Sequence, residues 1–155
     1  MPQLQNVCSH IQNASKARQS ITSLPLTRIN LRLALAMKQA GLLSKVHPGD
    51  YSGPDPAGII TPITPHNAAS RRLWIGLKYV DDNRVITKCE LLSRANRRLY
   101  LDVRDIENMV KGRRVQTVRG LNMGECMFIG TSSGVFEARD CIRRNVGGEA
   151  LCRVW

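Results

Sequence analysis

A long proline-rich segment interrupts the regular pattern of this chain between residues 47 and 70. It contains five of the seven prolines and no Lys or Arg. Proline lacks the backbone N–H that helices and central strands need. The segment therefore predicts a loop or an extension draped over the surface. Because loops of this length are uncommon inside compact domains, we interpret it as an insertion or a partner-contacting segment.

The residues before this insertion have the pattern of two amphipathic helices and two short strands. Apolar side chains recur at helical spacing in residues 3–15 and again in residues 28–40. Thr27 is a suitable N-cap for the second helix, and Gly41 is a suitable stop. The two short strands are predicted at residues 21–24 and 42–46.

The residues after the insertion predict mostly strands. Residues 73–79 alternate between apolar and polar side chains, as in a half-buried strand, and a turn follows at residues 81–83. The sum is an α+β fold with two small lobes, a helix-and-strand N-terminal lobe (residues 1–80) and a mostly β C-terminal lobe (residues 81–155). Further strands are predicted at 85–92, 99–103, 126–129 and 150–155, helices at 105–110 and about 136–144, and basic connections at 94–98 and 111–124.

Charge is the strongest global property of the sequence. Lys and Arg number 23 against 12 Asp and Glu, a formal net charge of +11. Residues 1–49 carry six basic residues and no acid, residues 50–110 are near balance, and residues 111–155 carry eight basic against four acidic residues. Two basic parts therefore flank a neutral middle, which favours a polyanionic partner, above all nucleic acid. A basic enzyme and a protein bound to an anionic membrane surface are the alternatives.

The sequence offers no recognisable set of catalytic or metal-binding residues. It contains neither a Walker loop nor a G-x-S-x-G motif, and its carboxylates are scattered. The five cysteines form no C-x-x-C pair, so they predict buried free thiols. A zinc site built from them with His10, His47 and His66 would have no ligand pair at short spacing. We therefore predict no enzymatic activity, cofactor, metal or small-molecule substrate.

Three small hydroxyl side chains stand on a glycine-flanked loop after the strand predicted at residues 126–129. The loop reads G-T-S-S-G-V over residues 130–135. Hydroxyls can bond to ribose, phosphate and base edges, and glycines allow a close backbone approach to RNA. The residues alone equally allow an ordinary turn in which Ser133 or Thr131 caps the following helix. On that helix, phosphate contacts would come from Arg139, Arg143 and Arg144.

Several short stretches, in order along the chain, resemble the S8 family of small-subunit ribosomal proteins. That family reads S-T-S-K-G-V before a basic helix and a terminal G-G-E strand, and here T-S-S-G-V at residues 131–135 precedes G-G-E at residues 147–149. S-H-I-Q-N-A at residues 9–14 is similar to the family's T-R-I-R-N-A. The resemblance covers nearly the whole chain except the insertion and about residues 111–124. The remaining similar positions are Pro25, Thr27, Arg28 and Ile29 for P-S-S-K-L, Gly41 for a helix-ending glycine, residues 77–79 for L-K-Y, and residues 93–94 for S-R.

The resemblance implies a two-lobe α+β protein that binds the central domain of small-subunit ribosomal RNA through its C-terminal lobe. In this family the hydroxyl loop packs on an irregular internal loop of an RNA helix, and residues 147–149 would support it from a neighbouring strand. Glu149 would either accept hydrogen bonds from the loop or lie exposed at a strand start. Arg28 would contact a phosphate or be an ordinary exposed helix charge. The candidate RNA-binding residues are Arg28, Thr131, Ser132, Ser133, Gly134, Val135, Arg139, Arg143, Arg144, Gly147, Gly148 and Glu149.

Departures from the family pattern favour an organellar protein. The family's loop lysine is Ser133 here, its leading serine is Gly130, and the insertion and Arg113–Arg114 are additions. The acid-free first 49 residues, with their amphipathic helix, also suit an uncleaved mitochondrial import signal. We therefore expect a fungal-type mitochondrial protein of the small ribosomal subunit, with ribosomal RNA and neighbouring small-subunit proteins as partners and no membrane. The alternatives are a free RNA-binding translational regulator, a thiol- or metal-dependent enzyme, and a protein-interaction module that uses the insertion.

Overall fold

The computed structural model describes residues 2–56 and 61–155, and its mixture of helices and antiparallel sheets confirms the predicted α+β class. No helix within these two ranges is both long enough and apolar enough to cross a bilayer. The helices are α1 (Pro2–Lys16), α2 (Arg28–Gln39), α3 (Val103–Val110) and α4 (Ala138–Arg144). The strands are β1 (Ile21–Pro25), β2 (Leu43–Gly49), β3 (Arg72–Leu77), β4 (Tyr79–Val80), β5 (Asn83–Arg84), β6 (Cys89–Leu91), β7 (Tyr100–Leu101), β8 (Cys126–Gly130), β9 (Val135–Glu137) and β10 (Gly148–Val154).

A three-stranded antiparallel sheet in the order β1–β3–β2 underlies the N-terminal helices. Its central strand, β3, buries Leu73, Ile75 and Leu77. The helical spacing predicted for residues 3–15 is confirmed, because one stripe of α1 faces the core at positions i, i+3, i+4 and i+7. The residues of that stripe are Leu4, Val7, Cys8 and Ile11.

Both predicted ends of α2 are confirmed, and they fix the position of Arg28. The Thr27 side-chain oxygen accepts the backbone N–H three residues on, at 3.2 Å, as an N-cap does. At the other end, Gly41 adopts a φ of +80° and the Leu42 N–H donates to the Met37 carbonyl at 3.0 Å. This hydrogen bond and the positive φ of Gly41 are features of a Schellman motif, which favours glycine at this position. Arg28 is therefore the first residue of a helix that is capped at both ends.

The C-terminal sheet has β10 near its centre. Its strand order is β6–β10–β8–β9, all antiparallel, and the short β7 also pairs with β10. In the pairing of β10 with β8, Ala150 lies opposite Ile129 and Cys152 lies opposite Phe128. Leu151 is therefore an extra residue, a β-bulge that changes the direction of the side chains on either side of it.

Two clusters of buried apolar side chains stabilise the fold, and the larger one joins the two halves of the chain. Most of its members come from α1, α2 and the N-terminal sheet. The smaller cluster lies among α3, α4, β8 and the segment that follows α3. β10 contributes to both clusters, so its burial couples them. The residues after position 80 that join the larger cluster are Ile86, Cys89, Phe128, Leu151, Cys152 and Val154.

The strand predicted at residues 85–92 is wrong over its first half, because only β6 joins a sheet there. The Ser15 hydroxyl donates to the Ile86 carbonyl at 2.6 Å. The Lys88 N–H donates to the carbonyl of Trp155, the last residue, at 2.7 Å. The Trp155 N–H donates back to the Lys88 carbonyl at 3.0 Å, which extends the β6–β10 pairing by one residue. Residues 85–87 belong to no strand, so that part of the stretch is irregular and ties α1 to residue 155.

Other predicted boundaries also differ from the structure: the strand predicted at residues 73–79 is divided between β3 and β4, and the helix predicted at residues 105–110 starts at Val103. β7 ends at Leu101 and α3 starts two residues later, so the strand predicted at residues 99–103 is too long. The helix predicted at residues 136–144 loses its first two residues to β9, where Phe136 pairs with Ile129. β10 starts two residues earlier than predicted, because its first residues pair with β7. β9 and the start of β10 are strands only because of their pairing partners.

The insertion is partly strand, which corrects the prediction of a loop throughout. Its first three residues continue β2 and pair with β3. The following turn is held by the buried Arg71, which donates to the carboxylates of Asp50 at 3.1 Å and Asp55 at 2.9 Å. Residues 57–60, in the middle of the predicted insertion, lie outside the described residues. The first part of the insertion is therefore anchored to the N-terminal sheet by ion pairs.

Candidate nucleic-acid interface

The hydroxyl loop is the turn of a β8–β9 hairpin. The Thr131 N–H donates to the Gly134 carbonyl at 2.7 Å, and the Thr131 hydroxyl donates to the same carbonyl at 3.0 Å. The Gly134 N–H in turn donates to the Thr131 side-chain oxygen at 3.2 Å. Thr131 therefore closes the turn with both its backbone and its side chain.

The two serines at the tip of the loop, Ser132 and Ser133, are exposed. The Ser133 hydroxyl lies 3.1 Å from the Thr131 hydroxyl. This contact with the base of the turn holds the Ser133 side chain in place. The alternative in which Thr131 or Ser133 caps the next helix is wrong, because β9 intervenes and Glu137 is the cap of α4. The Glu137 carboxylate accepts the Arg139 N–H at 2.7 Å. The tip hydroxyls are therefore available to bond to a partner.

The glycine pair at residues 147–148 is explained by close backbone packing. A Cβ at Gly148 would lie 2.3 Å from the Gly130 carbonyl oxygen, at the end of β8. A Cβ at Gly147 would lie 2.7 Å from the Leu101 carbonyl oxygen. Real Cβ atoms do not approach carbonyls so closely, so a larger residue at position 148 would push β10 away from the hairpin, and one at position 147 would push it away from β7. Gly148 therefore allows β10 to pack against the end of β8, whereas Gly147 packs on β7.

Glu149 is neither an exposed strand start nor a holder of the loop hydroxyls, which corrects both expectations. Its backbone pairs with Gly130, and its side chain is only 13% exposed. The carboxylate accepts two hydrogen bonds from one Arg98 nitrogen, at 2.9 and 3.0 Å. Glu149 therefore ties the basic turn predicted at residues 94–98 to the strand beside the hairpin.

A groove of about 310 Å³ lies between the start of α2 and the hydroxyl loop. The first turn of α2 forms one wall, with Arg28 and Arg32. The opposite wall is the base of the hairpin with the start of β10. Arg28 therefore lies beside the predicted loop surface, and Arg32, on the same face of α2, joins it although sequence reasoning did not select it. The lining residues are Arg28, Ile29, Arg32, Gly130, Thr131, Gly134, Val135, Glu149 and Leu151.

The three arginines of α4 differ in their surroundings. Arg144 lies over the ring of Phe136, 4.4 Å from its centroid. That ring would contact a Cβ at Gly134 at 3.6 Å, so Arg144 and the hairpin turn flank the same aromatic side chain. Arg139 pairs with Glu137 at 2.7 Å, and Arg143 with Asp140 at 3.3 Å. Arg144 is therefore the α4 arginine best placed to add charge beside the loop.

A second basic cavity, of about 500 Å³, was not among the predicted site residues. Five arginines line it, with Glu90 as the acidic member of its lining. Arg153 is the buried one, and its Nε has no hydrogen-bond partner among residues 2–56 and 61–155. Burial lowers the pKa of Arg153 from its ordinary value, and the nearby Glu125 opposes that shift. The sequence shows the two basic stretches at residues 94–98 and 111–124, but it does not show that they come together in the fold. The arginines are Arg94, Arg97, Arg114, Arg119 and Arg153.

Comparison with known proteins shows to which family this chain belongs. The model of the family described as ribosomal protein S8 matches residues 3–155. The chain belongs to the ribosomal protein S8 family. It is 40% identical over 156 residues to small ribosomal subunit protein uS8m of Neurospora crassa, covering 98% of this chain and 97% of that protein. It is 38% identical over 152 residues to the protein of the same name from Schizosaccharomyces pombe, covering 98% and 99%.

The match extends to a more distant relative and confirms the resemblance seen in short motifs. Small ribosomal subunit protein uS8 of Opitutus terrae is 30% identical over 148 residues, covering 95% of this chain and 93% of that protein. The family match runs through the insertion and through residues 111–124, which the motifs alone did not cover.

Proposed function

We propose that this protein is a structural, non-catalytic component of the mitochondrial small ribosomal subunit that binds the central domain of small-subunit ribosomal RNA. The observation that carries the proposal is the groove between α2 and the β8–β9 hairpin, with Arg28 and Arg32 on one wall and the base of the hydroxyl loop on the other. Membership of the S8 family and the names of the two fungal relatives support the assignment to a mitochondrial small subunit.

The hairpin tip recognises folded RNA by shape and by short hydrogen bonds. Ser132 and Ser133 present hydroxyls that can meet ribose 2′-OH groups, phosphates and the edges of unstacked bases. Because the turn is closed by Thr131, the two serines meet the RNA with little further ordering, which lowers the entropic cost of binding. The tip therefore supplies specificity.

The arginines supply affinity that does not depend on sequence. Arg28 and Arg32 face the groove, and Arg144 lies beside the hairpin. Each phosphate contact releases counterions, so these side chains make binding salt-dependent. The five-arginine cavity offers a second surface for RNA backbone, on the side of the C-terminal lobe where residues 94–97 and 114–119 meet. Two basic surfaces on one protein suit a folded RNA that approaches from more than one side.

The test measures binding to a central-domain fragment of mitochondrial small-subunit RNA across a salt series, with a plain duplex of equal length as control. The S132A/S133A variant is expected to bind the fragment about 10-fold more weakly, because each net hydrogen bond contributes about 0.5–1.5 kcal/mol. Its salt dependence should match the wild type, because no charge is removed. S52A, which removes an exposed hydroxyl from the insertion, is the matched control.

The charge arm of the same experiment uses R28Q/R32Q, with K38Q at the far end of α2 as control. Losing two phosphate contacts should lower the salt slope by about two. Fragment and duplex bound equally by the wild type, or unchanged affinity of S132A/S133A, would contradict the proposed role of the loop. Failure of the protein to co-sediment with mitochondrial small subunits would favour a free translational regulator instead.

The insertion is proposed to contact a neighbouring small-subunit protein rather than RNA. Its described part contains no Lys or Arg and exposes two large apolar side chains, Tyr51 at 65% and Ile63 at 63%. Replacing both by serine should leave affinity for the RNA fragment unchanged and reduce incorporation into subunits. S52A/T64A, a matched pair of changes at exposed positions, should alter neither the affinity for the RNA fragment nor the incorporation into subunits.

A further inference from the structure

Three cysteine side chains from distant parts of the chain meet inside the larger core. Cys8 lies on α1, Cys89 on β6 and Cys152 on β10, and their sulfur atoms all lie within 4.8 Å of one another. These residues are only 2%, 6% and 0% exposed. The separations along the chain are so long that the usual short ligand spacings do not reveal the cluster. The expectation of buried free thiols is confirmed for these three and for Cys141, whereas Cys126 is half-buried. The convergence of the three was not predicted.

The backbone explains why the three thiols meet. Val154 pairs with Cys89 and Leu91 pairs with Cys152, so the two cysteines are diagonal neighbours on adjacent strands. α1 packs on this part of the sheet, and Cys8 belongs to its buried stripe. The backbone N–H of Cys89 also donates to the Gln12 amide oxygen of α1 at 3.3 Å, which fixes helix and strand together. The sulfur cluster is therefore preformed by secondary structure.

The chemistry of the thiols favours a cation at their centre. All three are free cysteines, and their sulfur atoms lie close enough together to face a single ion. Thiolate sulfur is the form that binds a metal. A thiolate buried at this position is costly unless it is coordinated, and a metal ion coordinates it.

We propose that Cys8, Cys89 and Cys152 form a binding site for a thiophilic d10 metal ion, Zn²⁺ or Cu⁺. Thiolate sulfur is a favoured ligand of both ions. Three sulfurs complete a trigonal site for Cu⁺, whereas Zn²⁺ takes a fourth ligand, such as water. Each coordinating thiol releases its proton to solvent on binding. His10, considered as a ligand from the sequence, lies outside the cluster and hydrogen bonds to Thr22 at 2.6 Å.

A cleft of about 190 Å³ gives the cluster a path to the surface. Its lining includes Cys8 and Cys89 together with the exposed side chains of Lys88 and Arg94. An ion or a fourth water ligand can reach the sulfurs from this side. Glu90 also lines the cleft, so its charged side chains carry one net positive charge, which would offset part of the net negative charge that a three-thiolate site retains. The site shares no residue with the groove at the hydroxyl loop, so it is separate from that RNA contact. Its cleft borders the five-arginine cavity, with which it shares Glu90, Leu91 and Arg94.

The test titrates the reduced full-length protein under anaerobic conditions with Zn²⁺, with Co²⁺ as a spectroscopic substitute, and with Cu⁺ in competition with a chelator of known affinity. We expect one equivalent of metal, a thiolate-to-cobalt charge-transfer band, and a rise in Tm when metal is bound. C8A, C89A and C152A should each weaken binding at least as much as the roughly 10- to 100-fold that loss of an outer-shell partner costs. C126A, which removes a half-buried cysteine outside the cluster, is the matched control.

Tight binding of only one of the two ions identifies the native metal and supports the site. Wild-type protein that takes up no stoichiometric ion, or C126A that loses as much affinity as C8A, overturns it. The cobalt spectrum of the unmutated chain tests the proposal without any variant. The test therefore gives a result even if C152A folds poorly. C8A should bind the ribosomal RNA fragment as well as the wild type, which separates this site from the proposed function.

Discussion

At the scale of single residues, the absence of a side chain shapes the loop surface as much as its hydroxyls do. Gly148 carries no Cβ where one would lie 2.3 Å from the Gly130 carbonyl oxygen. This contact is backbone against backbone, so no side-chain rotation can relieve it. The start of β10 can therefore lie close to the hairpin that presents Ser132 and Ser133 only because the residue is glycine.

G148A should lower the free energy of unfolding by about 1–3 kcal/mol, the usual cost of overpacking. It should also weaken RNA binding, since the hairpin must shift. G53A is the matched control, because a Cβ at Gly53 would meet nothing within 4 Å, and its effect should stay within about 0.5 kcal/mol. Denaturant unfolding of both variants gives the comparison. Equal stabilities would show that β10 can move aside freely.

The sequence drew attention to the hydroxyl loop but did not reveal the structural roles of its residues. Three adjacent hydroxyls look equivalent in the sequence, yet Thr131 closes the turn while Ser132 and Ser133 face outward. Strand pairing decides this difference, because Thr131 lies next to the last paired residue of β8. The partner of Glu149 was equally hidden, since Arg98 is 51 residues away along the chain. Local pattern predicts residue types at a site, but long-range contacts assign what each one does.

At the scale of elements, the capped start of α2 positions one wall of the groove. T27A removes the side-chain oxygen that accepts the N–H of Asn30, and it should lower the free energy of unfolding by about 1 kcal/mol. T27S keeps that oxygen and should restore most of the loss. T87A, at an exposed threonine outside any helix, is the control. Thermal unfolding measures the order of stability of these variants. A T27S variant as unstable as T27A would rule out the capping explanation.

A second element-scale prediction concerns the ion pairs that hold the first part of the insertion. The hydrogen bond from Arg71 lowers the pKa of Asp55 below its ordinary value. The stabilisation is therefore complete above the unfolded pKa of about 4, and it is lost as the pH falls through the lowered folded pKa. Trp74 reports the change, because its indole N–H donates to the Asp50 carbonyl at 2.8 Å.

In a W155F background, Trp74 fluorescence should show an acid transition before global unfolding. D55N should abolish that transition and give the detached signal already at neutral pH. D81N, at an exposed aspartate of the β4–β5 turn, should behave like the background. A transition that survives in D55N would mean that another group holds the insertion.

Elements defined by local signals were easier to predict than those defined by pairing. α1 and α2 have amphipathic spacing, and α2 also has a cap and a glycine stop, so their boundaries follow from neighbouring residues. The strand over residues 85–92 was overextended because its early backbone groups bond to Ser15 and Trp155, which no local pattern indicates. β9 was missed because Val135–Glu137 is strand only through its pairing with β8. Short strands are therefore the least predictable part of this fold.

At the scale of the whole molecule, the larger core couples the two lobes. Its members include the α1 stripe before residue 80 and Phe128, Cys152 and Val154 after it. The C-terminal carbonyl of Trp155 also accepts N–H groups from residues 87 and 88, beside α1. Removing either half would expose apolar surface that the other half now covers. The predicted lobes at residues 1–80 and 81–155 should therefore unfold together.

Two tryptophans, one in each half, make this cooperativity measurable. Trp74 lies in β3 of the N-terminal sheet, and Trp155 follows β10 at the end of the C-terminal sheet. In W155F and W74F, denaturant transitions followed by the remaining tryptophan should coincide with each other and with circular dichroism, as two-state unfolding requires. The circular dichroism midpoints of the two variants correct for any effect of the substitutions on stability. Separate midpoints for Trp74 and Trp155, after that correction, would mean that the lobes unfold independently and that the shared core is too weak to join them.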